Sequence, residues 1–186
     1  MLLQVLTVLL AVWLPQAPAQ APAKTYNEAA DAKQVIAPAV KSAATDDIRV
    51  LINWGANDDD ACAKYIAVQG SRDVPPAFFS DEYRQVYVNV GHLDKNLVLA
   101  KAYGVTLEEA RLPMLTVLDR NGNVVANVSA RDFIPAGTTT FSAPLISTFL
   151  KTHQAPQPND TANFENAVKQ AKKDGKTVFV WFSAPW

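Results

Sequence analysis

The sequence predicts an α/β domain in which a central mixed β-sheet is flanked by helices. Two observations carry this prediction. In the first half of the chain, short apolar runs without helical spacing alternate with helix-like segments, and in the second half an Asn-Gly step separates two short apolar runs. The chain has 186 residues, of which 49% are hydrophobic, which is enough to bury one core. We therefore expect one complete domain with accessory segments.

The first half of the domain is predicted to alternate helices and strands. An alanine-rich helix is predicted over residues 26–44, with Asn27 as its cap. The apolar run 48–54 predicts a buried central strand, and a second helix is predicted over 58–69. A further strand over 85–90 and a short helix over 95–103 complete this half.

The second half is predicted to make the sheet antiparallel. Strands are predicted over 114–118 and 124–128, on either side of an Asn121-Gly122 step that favours a hairpin turn. An amphipathic helix over 144–151, which begins with a proline, closes the domain. The whole domain is assigned to residues 24–152, and the polar, proline-containing segment 153–160 is predicted to be a linker.

The amino terminus has the shape of a signal peptide. Residues 2–14 are almost wholly apolar and give way to a run of Ala and Pro, with small residues where a signal peptidase cuts. The apolar run is shorter than the roughly 20 residues that a membrane-spanning helix needs. We assign residues 1–23 to a signal peptide and expect export to the periplasm or the medium. An uncleaved anchor is the alternative, because no Lys or Arg precedes Lys24.

An internal repeat appears when the chain is shifted by 128 residues. In that register Ala39, Val40, Lys41, Ala43, Asp46, Val50 and Ala56 meet Ala167, Val168, Lys169, Ala171, Asp174, Val178 and Ala184. A helix and a central strand are therefore predicted to begin again after the linker. We assign residues 161–186 to the start of a second domain and expect a longer gene product to continue with Cys.

The net charge and the cysteine content limit the classes of partner that the chain can bind. The formal net charge is −1, so no broad electrostatic field attracts nucleic acid or an anionic membrane. The single cysteine, Cys62, cannot close an internal disulfide. We predict no nucleic-acid partner and no membrane span after signal cleavage.

Three short stretches occur in an order typical of one known family. The predicted central strand ends in Trp54-Gly55-Ala56, the next helix carries Cys62, and Arg111-Leu112-Pro113 precedes the third strand. With these stretches the chain resembles the thioredoxin family, in particular its exported bacterial members, over about residues 26–151. The resemblance implies a thioredoxin-like fold with Pro113 as the cis-proline beside the active site. Residues 182–186 similarly resemble the segment that precedes a catalytic Cys-x-x-Cys.

The redox motif of that family is incomplete in this chain. The family's segment reads Gly-Ala-x-Trp-Cys-x-x-Cys, and its first Cys attacks disulfides as a thiolate. Laid on this sequence, Asp58 replaces the Trp, Asp59 replaces the nucleophilic Cys, and Cys62 matches the second Cys. Asp59 and Cys62 are therefore the candidate catalytic positions. The resemblance also implies a peptide groove, with Trp54, Asp58 and Pro113 as its candidate binding residues.

Each of these features allows a structural interpretation as well. The acidic run 58–60 either caps the second helix or helps to bind a metal, and we predict capping because neighbouring carboxylates on one turn point in different directions. Cys62 is either a buried, inert thiol or one that forms a mixed disulfide with a partner. His92 and His153 are predicted to lie exposed in loops, without an acid partner. No metal and no cofactor are predicted.

Three functions follow in order of preference. The first is an exported thioredoxin-family protein associated with thiol-disulfide chemistry, whose first domain has lost dithiol activity and binds protein or peptide thiols and disulfides. The second is monothiol exchange through Cys62. The third is a structural or interaction protein without a redox link.

Overall fold

The computed structural model describes residues 25–156 and 160–181. The predicted signal peptide lies outside them, as do residues 157–159 of the predicted linker and the last five residues of the chain. No helix in the described ranges is both long and apolar enough to cross a membrane.

Helices and strands alternate through the domain as the sequence predicts, with one extra short helix. In chain order the elements are α1 (Ala32–Asp46), β1 (Arg49–Gly55), α2 (Asp60–Gln69), α3 (Pro76–Ser80), β2 (Tyr83–Asn89), α4 (Leu97–Ala102), β3 (Met114–Leu118), β4 (Val124–Ser129), α5 (Ala143–His153) and α6 (Asp160–Asp174). Short 3-10 turns lie at Leu107–Glu109 and Ala130–Phe133.

The four strands form one mixed sheet in the order β2-β1-β3-β4. Strand β2 runs parallel to β1, whereas β3 is antiparallel to both β1 and β4. The β3–β4 turn is closed by a hydrogen bond of 3.0 Å from the Gly122 N–H to the Asp119 carbonyl oxygen. Gly122 has a φ of +84°, which an L side chain rarely adopts. The predicted mixed sheet and its hairpin are therefore confirmed.

Helices cover both faces of the sheet, and the sheet separates the core into two clusters. On one face, Ile36 and Ala43 of α1 pack in a cluster with Ile52 and Val88. On the other face, helices α2 and α5 contribute to the second cluster, which contains Leu51, Tyr65, Leu115, Ile146 and Leu150. Burial on both faces explains why β1 is an apolar run rather than an alternating one.

The start of the first helix differs from the prediction. Helix α1 begins at Ala32, and its cap is Asp31, whose side chain accepts a hydrogen bond of 2.9 Å from the Lys33 N–H. Asn27 is therefore not the helix cap. Tyr26, which was predicted to be helical, is instead drawn into the core and is 1% exposed. Tertiary burial of this ring outweighs the local helix propensity of an alanine-rich segment.

Helix α6 forms where the repeat predicts a helix, but none of its described side chains is buried. Phe164 on this helix and Phe179 and Trp181 after it are exposed. Residues 176–181 pair with no strand in the part of the chain that the structure describes. The second domain therefore stays a prediction.

Candidate functional site

Asp59 is the N-cap residue of α2, immediately before the first residue of the helix. Its Oδ1 accepts a hydrogen bond of 2.8 Å from the Cys62 N–H, which caps the helix. Asp60, in the first turn, is exposed and pairs with Lys64 at 2.7 Å. This hydrogen bond confirms the predicted capping role of the acidic run for Asp59. The negative charge of Asp59 also interacts favourably with the positive end of the helix dipole.

Cys62 lies in the first turn of α2 and is buried. It is 0% exposed, and burial raises the pKa of its thiol to about 12. The nearby negative charge of Asp59 raises the pKa further, because it disfavours a second anion. The thiol therefore stays protonated at neutral pH and has no nucleophilic character.

Arg131 joins the start of α2 to the loop before β3, and sequence reasoning missed it. Its Nη2 lies 3.4 Å from Asp59 Oδ2, and its Nε donates a hydrogen bond of 2.8 Å to the Leu112 carbonyl oxygen. Asp59 and Arg131 are 72 residues apart, so no local spacing or motif signals the pair.

The Leu112–Pro113 peptide bond is cis, which confirms the expectation for Pro113. Residues of β4 and of the turn after it donate hydrogen bonds to the carbonyl oxygens of residues 111–113. Ser129 Oγ donates to the Arg111 carbonyl oxygen at 2.6 Å, and the Ala130 N–H donates to that of Pro113 at 2.8 Å. With the Arg131 bond, all three carbonyls of residues 111–113 are occupied, so the loop is held in one conformation.

A surface groove of about 450 Å³ lies between the start of α2 and the cis-proline loop. Its lining includes Asp58, Asp59, His92, Leu93, Leu112 and Arg131. Pro113 is itself buried and is not among the lining residues. Of the candidate binding residues, the structure thus places Asp58 in the groove and Pro113 directly beside it.

Two sequence interpretations are corrected at this site. Trp54 is fully buried, and its indole N–H donates a hydrogen bond of 2.9 Å to Thr116 Oγ1, so it cannot touch a ligand in the groove. His92 is exposed as predicted, but it has an acid partner, since its Nδ1 lies 3.3 Å from Asp58 Oδ2. Both side chains of that pair are more than half exposed, so it adds little stability.

His153 is also placed differently from the prediction. It is the last residue of α5 rather than part of a loop, and its ring centroid lies 4.7 Å from that of Phe149. No three His, Cys, Asp or Glu side chains within residues 25–156 and 160–181 converge as metal ligands.

The fold of the domain is similar to that of a solved structure. The crystal structure of a disulphide isomerase from Xylella fastidiosa Temecula1 aligns with 23% identity and a TM-score of 0.62. The alignment covers 71% of this chain and 98% of that protein. The domain has a thioredoxin-like fold. At this level of identity the likeness establishes the fold and not the activity.

Two further solved structures resemble the thioredoxin-like domain more distantly. Trxlp from Edwardsiella tarda EIB202 has 19% identity, with 64% of this chain and 94% of that protein covered. DsbH oxidoreductase has 15% identity, with 73% and 92% covered. Both TM-scores are 0.41, which is too low to support an argument. No protein-family model and no curated protein matches the chain.

Proposed function

We propose that this thioredoxin-like domain belongs to an exported protein associated with thiol-disulfide chemistry and that it binds extended peptides without dithiol catalysis. The observation that carries the proposal is the state of Cys62. The chain's only thiol is fully buried with a pKa of about 12, while a carboxylate, Asp59, stands where the nucleophile would be. A surface groove beside the cis-proline loop supports the binding role.

The loss of dithiol chemistry is tested by reduction of insulin disulfides with dithiothreitol as the electron donor. We expect no acceleration by the purified chain or by the Cys62→Ser variant. The Asp59→Cys variant is the positive control, because it puts a second thiol at the helix start, three residues before Cys62. We expect it to form a disulfide on oxidation and to accelerate the reaction. A wild-type rate that Cys62→Ser abolishes would contradict the proposal.

Peptide binding is tested with the carbamidomethylated insulin B chain, an extended peptide without free thiols. We expect it to perturb NMR amide shifts at residues around the groove, including Asp58, His92 and Leu112. Ala110→Trp should weaken binding, because Ala110 lines the groove and the ring would fill it. Ala102→Trp adds the same ring to an exposed position on α4 outside the groove and should bind like wild type. Shifts scattered over the surface, or none, would refute a binding role.

The monothiol alternative requires a reachable, acidic thiol. Burial of Cys62 and its raised pKa both weigh against it. The alkylation rate of Cys62 tests this alternative, because a thiol that takes part in disulfide exchange would react at neutral pH in the folded protein.

A second thioredoxin-like unit is proposed to begin at α6. In the 128-residue register, the buried α1 residues Ile36, Ala39 and Ala43 correspond to Phe164, Ala167 and Ala171. The exposed apolar side of α6 thus repeats the side that α1 packs against the sheet. Sequencing the transcript past the Trp186 codon tests this proposal. Continuation into Cys-x-x-Cys supports a tandem redox protein, whereas a stop codon removes the second unit.

A further inference from the structure

Residues 25–31 lead into α1 and contact the loop between β1 and α2 at Asn57, next to the candidate site. We call this segment the N-terminal strap. Tyr26 is its only buried side chain, and the other six residues are exposed or half-exposed. The strap adds no strand to the sheet, and α1 is capped by Asp31 at the strap's end. Tyr26 is therefore the residue through which the strap contributes to the core.

Asn57 fastens the backbone of the strap at Tyr26. The Tyr26 N–H donates to Asn57 Oδ1 at 3.0 Å, and Asn57 Nδ2 donates back to the Tyr26 carbonyl oxygen at 2.7 Å. The same Nδ2 reaches Glu28 Oε1 at 3.1 Å. Asn57 lies in the short loop between β1 and the cap of α2, so it ties the strap to the entrance of the candidate site.

The ring of Tyr26 covers the thiol of Cys62. Both side chains lie against Gly55, where an added Cβ would stand 2.8 Å from Cys62 Sγ and would collide with the Tyr26 hydroxyl. The ring also packs edge-to-face on Tyr87, with centroids 5.8 Å apart. The Tyr26 hydroxyl is buried and finds no oxygen or nitrogen partner among the described residues. Its polar neighbour is the Cys62 thiol, a weak hydrogen-bonding group that replaces the lost hydration of the hydroxyl only in part.

We propose that the N-terminal strap is a removable cover for Cys62, which can detach while the rest of the domain stays folded. Detachment breaks the three hydrogen bonds of Asn57 to the strap and exposes the Tyr26 ring, whereas the pairing of the four strands and the cluster that contains Ile146 are retained. Such local openings occur more often than global unfolding. The inference goes beyond the proposed binding function, because it makes the inert state of the thiol conditional on the strap and does not depend on the groove.

The test is the rate at which N-ethylmaleimide alkylates Cys62 in the folded chain. The thiolate sulfur adds to the maleimide double bond, and the thiol proton ends, by way of water, on the adjacent carbon. We expect Tyr26→Ala and Asn57→Ala to react about tenfold or more faster than wild type. Ile146→Ala is the control, because it removes buried apolar contacts from the other cluster and leaves the strap intact. Its rate should follow global unfolding, measured by urea denaturation.

Two further measurements test the inference if Tyr26→Ala does not fold. Tyr26→Phe retains the ring and should stay as unreactive as wild type. In the wild-type chain, exchange of the Tyr26 amide hydrogen should be faster than that of the β1 amides and nearly independent of low urea concentrations. The inference is overturned if Asn57→Ala reacts no faster than its global unfolding allows, or if the Tyr26 amide exchanges only through global unfolding.

Discussion

Replacing Asp59 with alanine tests how the start of α2 is held. The variant loses the cap bond to the Cys62 N–H, which is worth about 1 kcal/mol. It also loses the 3.4 Å pair with Arg131, whose partners are 40% and 24% exposed, so that the pair contributes at most about 1 kcal/mol. We therefore expect the free energy of unfolding to fall by about 1–2 kcal/mol.

Asp59→Asn separates the two contributions. Its amide oxygen still accepts the cap bond, so the variant should lose less than about 1 kcal/mol. Asp60→Ala is the matched control, because Asp60 is exposed and its pair with Lys64 stabilises little, within about 0.5 kcal/mol. Urea denaturation followed by tryptophan fluorescence, whose change on unfolding reports the exposure of buried Trp54, gives each value. The reasoning is refuted if Asp59→Ala is as stable as Asp60→Ala, or if Asp59→Asn costs as much as Asp59→Ala.

Three further predictions concern the core around the site. Folding raises the pKa of Cys62 from 9.0 to about 12, so its contribution to stability is complete below pH 9 and is lost as the pH rises above 9, by up to about 1.4 kcal/mol per pH unit. Wild type should therefore lose stability relative to Cys62→Ala between pH 9 and 11 in urea titrations, and parallel curves would contradict this. Gly55→Ala should destabilise the domain by about 1–3 kcal/mol, because the added Cβ meets Cys62 Sγ at 2.8 Å. Gly70→Ala, with its nearest neighbour at 3.7 Å, should be neutral or stabilising when both variants are compared by urea denaturation, and equal losses would argue against the close packing. Thr116→Val leaves the Trp54 indole N–H without its partner and should cost about 1–3 kcal/mol in urea denaturation, whereas Thr116→Ser should restore most of it.

Several features of this fold are encoded by short-range patterns in the sequence. The apolar run of β1, the Asn121-Gly122 hairpin and the helix cap at Asp59 each depend on residues within a few positions of one another. The cis-proline at Pro113 followed from the family resemblance, which rests on ordered short motifs. Such signals specify the class of the fold because periodicity, turns and caps are local properties of the chain.

The surroundings of the candidate site depend on contacts between residues that lie far apart in the sequence. Tyr26 belonged to an alanine-rich stretch that predicted a helix, yet its ring is buried over Cys62. Trp54 looked like a groove residue, yet packing places it in the core. Arg131 reaches Asp59 across 72 residues of sequence. Contacts of this kind depend on which surfaces the packed sheet and helices bring together, and residue spacing along the chain does not encode that.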